Sequence, residues 1–356
     1  MFPFLFAALI TVSPAPPSGD NPAHEPQMAV SGSFTGLTYG AGDSIYFISS
    51  RDAGKTFTAP VRVGGGAVIA LNRHRGPRIA IAGNVIAVTA VAGKTLSTAP
   101  HAHGLPSDGD LIVWRSTDRG VTWSNGTVVN DVPGAPTEGL HTIAADAHGN
   151  LFAAWLDHRG GKGTRLYGAR STDGGTTWSE NVEIYASPDG SICECCHPTA
   201  AFDAHGQVLV MFRNWLGGSR DLYLTRSRDG VNFSKPEKLG MGTWQLNACP
   251  MDGGGLVIAG GRIVSAWRRE HDIFLASPGE KEVDLGSGVD VSIAAGSSGV
   301  YAVWSTPAGI KAMLPGNKEA APIAKTGSFP NVVSLPGGHA LAAWEDDGRI
   351  VVQQLP

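Results

Sequence analysis

The chain repeats Ser50-Arg-Asp-Ala-Gly-Lys-Thr-Phe57 as Ser116-Thr-Asp-Arg-Gly-Val-Thr-Trp123 and Ser171-Thr-Asp-Gly-Gly-Thr-Thr-Trp178, with a copy one residue shorter at Ser227-Arg-Asp-Gly-Val-Asn-Phe233. Serine and aspartate side chains hydrogen-bond to nearby backbone, and glycine supplies the positive φ angle of a tight turn. We therefore expect each copy to be a structural hairpin tip. The copies begin 66, 55 and 56 residues apart, which fits one four-stranded blade of a β-propeller per repeat.

A second repeat extends further along the chain and is typical of buried strands. Five segments place an aromatic residue five positions after a turn, at Trp155, Phe212, Trp267, Trp304 and Trp344. Each segment is apolar or alternating, and a strand of small residues ending in glycine precedes it. Two weaker copies, at 35–39 and 84–88, bring the number of strand pairs to seven. The fold predicted is all-β, a β-propeller of four-stranded antiparallel blades. It has seven blades, or six if the two chain ends share one blade.

Closure of the ring is also predicted from the pattern. The last segment, residues 329–355, offers only three strands. An N-terminal strand is therefore expected to complete its blade, because closure removes exposed sheet edges.

Composition and charge exclude several classes of partner. The 356 residues include 48 glycines and 23 prolines, and 42% are hydrophobic, which indicates a turn-rich but ordered protein. Lysine and arginine number 27 against 31 acidic residues, a net charge of −4 that argues against nucleic acid or an anionic membrane surface as partner. After the N-terminal region, no stretch approaches the roughly 20 apolar residues of a transmembrane helix.

The N-terminal region predicts export. Residues 1–15 contain a short apolar run followed by serine, proline and alanine, and they resemble a secretory signal peptide, although no lysine or arginine precedes the run. We expect residues 16–27 to be a flexible lead-in and residues 28–356 to form a single propeller domain. The predicted location is secreted or periplasmic.

Polar residues are expected to gather at one end of this propeller. In an up-and-down blade the first strand begins on the face where the second strand ends, and the hairpin between the third and fourth strands lies on the opposite face. The repeated hairpins therefore mark the bottom. Alignment of the inner strands places four polar residues at one level near the top: His74, His197, Asp252 and Asp290.

Arginines near this level are candidates for binding an anion. Arg75, Arg213 and Arg268 come from three blades, and guanidinium groups bind carboxylates in bidentate fashion. His141 and Arg159 are further candidate ligand-binding residues. The predicted partner is a carbohydrate or another small polar ligand, with a protein partner on the propeller rim as an alternative.

Hydrolysis of a glycosidic bond would need two carboxyl groups facing it. Glu138, Asp157 and Glu270 are the candidate catalytic residues, and Glu345 is a further carboxylate at the same end.

The four cysteines fall in two adjacent predicted blades, in Cys193-Glu-Cys195-Cys196-His197 and Cys249-Pro-Met251. An even number of cysteines in an exported chain favours two disulfides of unknown pairing, and a bond from Cys249 to the triplet would join neighbouring blades. A metal site for copper or zinc is the alternative, because thiolates, imidazole and thioether are ligands of these ions. Its ligands would come from Cys193, Cys195, Cys196, His197, Cys249 and Met251. The disulfides are favoured, so no cofactor is expected.

The hairpin segments resemble the Asp-box (BNR) repeats of the sialidase superfamily, with three close matches and a weaker fourth. The Cys-x-Cys-Cys motif is similar to that of bacterial exported propeller proteins labelled sialidase-like. The resemblance implies a propeller, and sialidases themselves use an arginine triad, a tyrosine nucleophile assisted by glutamate, and an aspartate acid/base. This sequence departs from that pattern. Pro77-Arg78-Ile79-Ala80 follows the first Asp box instead of preceding it, and no tyrosine occurs after Tyr301.

Overall fold

The computed structural model describes residues 9–13, 21–65, 68–99, 102 and 104–356. Its strands form seven antiparallel sheets, which are the blades of the propeller. Blade 1 consists of β2 (Ala23–Ser31), β3 (Phe34–Ala41), β4 (Ser44–Ser50) and β5 (Val61–Gly65); blade 2 of β6 (Val68–Ile69), β7 (Arg78–Ala82), β8 (Val85–Gly93), β9 (Asp110–Ser116) and β10 (Thr127–Val128); blade 3 of β11 (His141–Ala145), β12 (Leu151–Asp157), β13 (Arg165–Ser171) and β14 (Val182–Tyr185). Blade 4 consists of β15 (Thr199–Phe202), β16 (Val208–Arg213), β17 (Leu222–Ser227) and β18 (Glu237–Lys238); blade 5 of β19 (Gly255–Ala259), β20 (Arg262–Arg269), β21 (Asp272–Ala276) and β22 (Val283–Ser287); blade 6 of β23 (Val289–Gly296), β24 (Gly299–Thr306), β25 (Gly309–Met313) and β26 (Ala321–Pro322); blade 7 of β27 (Ser328–Leu335), β28 (His339–Asp346), β29 (Arg349–Leu355) and β1 (Ile10–Thr11).

The seven-bladed prediction is confirmed, and the six-bladed alternative is wrong. The aromatic residues of the second repeat lie on the second strands of their blades and are at most 3% exposed. Large aromatic side chains buried between neighbouring sheets supply much of the apolar contact that holds blades together. Among the described residues, no helix is long and apolar enough to cross a membrane.

The N-terminal segment closes the ring. In β1, Ile10 pairs with Val352 and Thr11 with Val351 of β29, so the last blade gains its fourth strand as predicted. This strand lies inside the segment 1–15 that resembles a signal peptide, of which residues 1–8 and 14–15 are outside the described part of the chain.

The predicted boundary between lead-in and propeller requires correction. Strand β2 begins at Ala23 and Glu25 within it is 1% exposed, so residues 23–27 belong to blade 1. Residues 14–20, which include most of the rest of the lead-in, lie outside the described residues.

The Asp-box hairpins lie between the third and fourth strands, at the bottom. In the second of them, Ser116 Oγ donates to Asp118 Oδ1 at 2.7 Å and accepts a hydrogen bond from the Gly120 N–H at 2.8 Å. The Asp118 carboxylate also accepts hydrogen bonds from the side chain and backbone of Thr122, which lower the pKa of Asp118 to about 2. Local hydrogen bonds therefore fix the turn.

Candidate functional site at the channel mouth

Irregular backbone distinguishes the top of the inner strands. The pairing register shifts within β2, β23 and β27, and one residue at each shift has a positive φ angle: Glu25 at 56°, Asp290 at 59° and Phe329 at 49°. Such bulges redirect side chains and are common beside functional sites. Non-glycine residues with positive φ are strained, and such strain clusters at binding and active sites.

In blade 2, an interruption of the inner strand places a residue with a positive φ angle at the top of the blade. Segments β6 and β7 both pair with β8, and residues 70–77 loop out between them. His74, in this loop, has a φ angle of 66° and lines a cavity in the channel. Because an unbroken strand would hydrogen-bond through these residues, the interruption is what brings the imidazole inward.

His74 is the centre of a buried polar cluster. Its Nε2 lies 2.9 Å from Asp290 Oδ1, its backbone N–H donates to Glu25 Oε1 at 2.7 Å, and its ring lies 4.6 Å from the ring of His197. Burial acts to lower the pKa of His74, but the hydrogen bond and charge of Asp290, together with the charges of Glu25 and Asp252, raise it to about 9. His74 is therefore protonated and ion-paired at neutral pH.

Two further carboxyl groups of the cluster are buried. Burial raises the pKa of Glu25 to about 7, and the Glu25 backbone N–H donates to Glu345 Oε1 at 2.7 Å. Burial and the charge of Asp290 raise the pKa of Asp252, whose Oδ2 accepts the Asp290 N–H at 3.1 Å. The Oδ1 atom of Asp252 is buried without a hydrogen-bond partner, as is His197 Nδ1.

The cavity itself has a volume of about 270 Å³ and is lined by inner-strand residues of all seven blades. Its charged groups are His74, Arg78 and Asp290. Asp290 is paired with His74, so Arg78 is the remaining charged residue of the lining, and Glu25 lies behind the lining, where its charge acts on both His74 and Arg78. The cavity is slightly below the roughly 300–1,000 Å³ of usual small-molecule pockets, which suits one small polar molecule.

Arg213, one of the predicted ligand-binding arginines, holds two blades together. It is 1% exposed, and its guanidinium donates to the carbonyl oxygens of Asp252 at 3.0 Å, Arg220 at 2.7 Å and Arg268 at 2.9 Å. These bonds engage Nε and both terminal nitrogens. The structure therefore gives Arg213 backbone partners on blades 4 and 5.

Arg75 and Glu138 form a second polar group, between blades 2 and 3. Arg75 Nη2 lies 3.1 Å from Glu138 Oε2, and Nε donates to the Glu138 carbonyl at 2.6 Å. His158 Nε2 lies 4.0 Å from Glu138 Oε1. The Glu138 side chain is 32% exposed, so it is accessible to a ligand.

The other predicted residues are mostly engaged with protein partners. Asp157 is fully buried and accepts hydrogen bonds from the Trp155 indole and from the Arg159 guanidinium. His141 is bonded to Gly139 O and Thr89 Oγ1, and burial lowers the pKa of His141 to about 3.

On blade 5, Arg268 Nε donates to the Glu270 carbonyl at 2.7 Å, and its guanidinium lies over the Trp244 ring. The Glu270 side chain is exposed, and Glu270 itself has a positive φ angle. The guanidinium groups of Arg75, Arg213 and Arg268 thus each donate to at least one backbone carbonyl oxygen.

The cysteines form one disulfide beside this mouth. Cys195 is bonded to Cys249, which joins the loops that lead into blades 4 and 5 as the sequence predicts for a bond from Cys249 to the triplet. The second predicted disulfide is absent, since Cys193 and Cys196 are buried free thiols. Cys193 Sγ is instead 3.2 Å from Arg220 Nη1 and 3.8 Å from Cys195 Sγ. The positive charge of a guanidinium group stabilises the anionic thiolate form of a cysteine, so this contact suits a free thiol at Cys193 better than a disulfide sulfur.

Two site residues were not selected from the sequence. Glu25 lies in the segment assigned to the lead-in, and Arg78 was noted only as a departure from the sialidase pattern. The alignment of inner strands could have found Arg78, whereas the bulge that buries Glu25 has no signal in the sequence. His74, His197, Asp252 and Asp290 do lie together, as that alignment indicates.

Comparison with known proteins supports the repeat and the fold. Residues 108–260 match the family model of the BNR repeat-like domain. The chain is similar in structure, over 98% of both chains, to a protein of unknown function from Dyadobacter fermentans DSM 18053 (TM-score 0.60, 14% identity) and to the Penicillium chrysogenum alpha-L-arabinanase complexed with arabinobiose (TM-score 0.60, 15% identity). It is also similar to a Hadza microbial sialidase, with a TM-score of 0.54 and 16% identity over 91% of this chain and 74% of that chain. No sequence among the curated proteins matches the chain significantly. These comparisons confirm the propeller fold, and the family match confirms the BNR-like repeat over residues 108–260.

Proposed function

We propose that the protein binds a small, anionic carbohydrate at the mouth of its central channel. The observation that carries the proposal is the cavity of about 270 Å³ in which His74 and Arg78 outnumber the single acidic lining residue, Asp290. A rigid ring of blades can hold such charges in fixed positions, which lowers the cost of ordering a site when a ligand binds. The structural likeness to an arabinanase and a sialidase supports the carbohydrate class.

Unused hydrogen-bonding capacity at the mouth suits a hydroxyl-rich ligand. Asp252 Oδ1 and His197 Nδ1 are both buried without partners. Buried polar atoms in native proteins are normally paired with protein, water or ligand. Burial and the positive charges of His74 and Arg78 hold the pKa of His197 well below its usual range, so the neutral ring can accept a hydrogen bond at one nitrogen.

Glycoside hydrolysis is the activity that we propose to test at this site. Retaining and inverting glycosidases use one carboxyl group as acid and one carboxylate as base or nucleophile. Glu25, with its pKa raised to about 7, can carry a proton near neutral pH and is the candidate acid, while Asp290, which lines the cavity 2.9 Å from His74 Nε2, is the candidate second carboxyl group. Of the carboxylates predicted from the sequence, Glu138 stays a second candidate because it is partly exposed.

The test compares binding and turnover across a sugar panel. Calorimetry with sialic acid, galacturonic acid, arabinobiose and glucose is run on the wild type and on His74→Gln, with fluorogenic glycosides for turnover. We expect acidic sugars to bind in preference to neutral ones and to lose at least tenfold in affinity in His74→Gln. Glu319→Gln, an exposed change at the opposite end, is the control.

Equal binding of an acidic sugar by His74→Gln and by wild type would place the site elsewhere. Glu138→Gln then becomes the deciding variant, because it alters the second polar group without touching the channel. Failure of every sugar to bind the wild type would overturn the proposal.

Export is part of the same proposal. The apolar N-terminal run supports it, and the Cys195–Cys249 disulfide fits an oxidising compartment. Because β1 (Ile10–Thr11) lies in that run and pairs with β29, removal of residues 1–15 on export would leave blade 7 with three strands. Fractionation of the expressing cells, with mass spectrometry of the mature N terminus, tests the location. Recovery of the chain in the cytoplasm with all four thiols reduced would contradict export.

A further inference from the structure

The four cysteines bring their sulfur atoms together in one small volume. The Sγ atoms of Cys193, Cys195 and Cys196 lie within 4.8 Å of one another, and Cys249 is bonded to Cys195. Cys193, Cys195 and Cys196 are at most 6% exposed, whereas Cys249 is exposed. A disulfide needs only two sulfurs, so this crowding is not explained by the Cys195–Cys249 bond.

Sulfur spacing in the cluster matches that of a thiolate metal centre. Two sulfurs that each lie about 2.3 Å from a tetrahedral metal ion are roughly 3.8 Å apart. Cys193 Sγ and Cys195 Sγ are 3.8 Å apart. Cys193 and Cys196 also have the two-residue spacing that is common among metal-binding cysteine pairs.

Met251 provides a second, independent observation. Its side chain packs against the cluster of Cys193, Cys195 and Cys196, its Sδ atom accepts from Arg73 Nη1 at 3.7 Å, and its φ angle is 55°. A positive φ is unfavourable for methionine, so the surrounding structure imposes this conformation. Thioether and thiolate sulfur together are soft ligands that favour copper(I).

Nearby positive charge fits a thiolate-rich centre. Arg220 Nη1 lies 3.2 Å from Cys193 Sγ, and Arg213 is the second arginine of this region, because its backbone carbonyl accepts the Cys193 N–H at 3.1 Å. Three or four thiolates around one copper(I) ion carry a net negative charge. Buried charge of this kind needs compensation, which the two guanidinium groups supply.

We propose that this cluster binds one copper(I) ion through its cysteine thiolates, with Met251 as an additional sulfur contact, once the Cys195–Cys249 disulfide is reduced. A dithiol reductant attacks at the exposed Cys249, is itself oxidised to a disulfide, and delivers two electrons and two protons to Cys195 and Cys249. Binding of copper(I) then displaces the thiol protons to solvent. The inference is separate from the carbohydrate site, since it uses none of the cavity-lining charged residues.

The experiment is a copper(I) titration of the full chain. Protein reduced with dithiothreitol and desalted without oxygen is titrated against a chromophoric copper(I) chelator, and the stoichiometry and the ultraviolet thiolate-to-copper absorption are recorded. We expect one copper per chain, bound at least 100-fold more weakly by Cys196→Ser. Unreduced wild type should bind at least 100-fold more weakly as well.

Matched methionine variants sharpen the test. Met251→Leu should weaken copper(I) binding by about tenfold, and Met241→Leu, at an exposed methionine outside the cluster, should not change it. Both methionine variants conserve side-chain volume and are expected to fold. They therefore still test the proposal if Cys196→Ser does not fold. Circular dichroism checks each fold.

Three results would overturn the proposal. One is copper uptake by reduced wild type no tighter than by Cys196→Ser. Another is preferential uptake of zinc(II) in a parallel titration. The third is identical copper affinity in Met251→Leu and wild type together with an unchanged thiolate absorption in Cys196→Ser. Sugar binding by the oxidised protein is measured in a separate sample, so either proposal can fail alone.

Discussion

At the bottom of the propeller, one serine in each of four blades donates to the aspartate two residues later at 2.7 to 2.8 Å and accepts from a glycine N–H at 2.8 to 2.9 Å. At the top, the positive-φ residues that introduce the inner strands differ from blade to blade, as Glu25, His74, Met251, Asp290 and Phe329. Repetition at the bottom solves the same turn problem four times. At the top, different side chains at equivalent positions of the blades form one asymmetric site. Such asymmetry allows a site to bind one ligand in preference to others.

A substitution of Arg213 measures how much the polar contacts at the mouth contribute to the stability of the fold. Arg213→Met removes three buried donors and leaves the carbonyl oxygens of Asp252, Arg220 and Arg268 without these partners. We expect the free energy of unfolding to fall by about 3–5 kcal/mol, since buried polar networks are costly to break. Chemical denaturation monitored by tryptophan fluorescence measures it. A loss below about 1 kcal/mol would show that the guanidinium is free to serve a ligand.

The two regions should respond to opposite changes of pH. A histidine whose pKa is raised from 6.5 to about 9 stabilises the fold fully below pH 6.5, and this contribution is lost as the pH rises through 9. The difference in unfolding free energy between wild type and His74→Gln should therefore shrink between pH 6.5 and 9.5, by at most about 3 kcal/mol.

The matching change at the bottom is Asp118→Asn. Thr122 lowers the pKa of Asp118 to about 2, so the stability that this carboxylate contributes is present above pH 4 and is lost as the pH falls through 2. Denaturation of the three proteins from pH 1.5 to 9.5 compares the two regions. A His74→Gln difference that stays constant from pH 6 to 9.5 would mean that the His74–Asp290 pair is not ionic.

The same contrast explains what the sequence could predict. Hairpins such as 116–123 depend on contacts within eight residues, and the buried aromatic residues follow a strand period, so both were visible and gave seven blades. The alignment of equivalent strands also predicted the level of His74, His197, Asp252 and Asp290.

Interactions across blades were not visible. Nothing in the sequence shows that Arg213 donates to blade 5. Two features within single blades were equally hidden, namely the enclosure of Asp157 by Trp155 and Arg159 and the bulge that buries Glu25. The cysteine pairing was open for the same reason. Cys195 and Cys249 are 54 residues apart, and only the packing of two loops selects that pair.

Even the repeated hairpins differ where they touch the preceding blade, and glycine substitutions expose this. Gly120 and Gly230 both have positive φ angles, so alanine at either position carries a backbone cost of about 1 kcal/mol. A Cβ atom at Gly120 would lie 2.1 Å from the buried ring of Phe47, whereas one at Gly230 would lie 3.2 Å from the flexible side chain of Arg170. We expect Gly120→Ala to lose about 1–2 kcal/mol more than Gly230→Ala, because a packed ring cannot yield without strain.

Thermal and chemical denaturation of the two variants measure this difference directly, and Phe47→Leu supplies the control. With the ring removed, the extra cost of Gly120→Ala should disappear in a double-mutant cycle, since the two side chains are in direct contact. Equal losses in Gly120→Ala and Gly230→Ala would mean that the hairpins are interchangeable units. A larger loss in Gly120→Ala than in Gly230→Ala, in the protein that retains Phe47, would instead show that each repeat is adapted to the blade it contacts. The bottom of the propeller would then share, in weaker form, the blade-specific construction of the mouth.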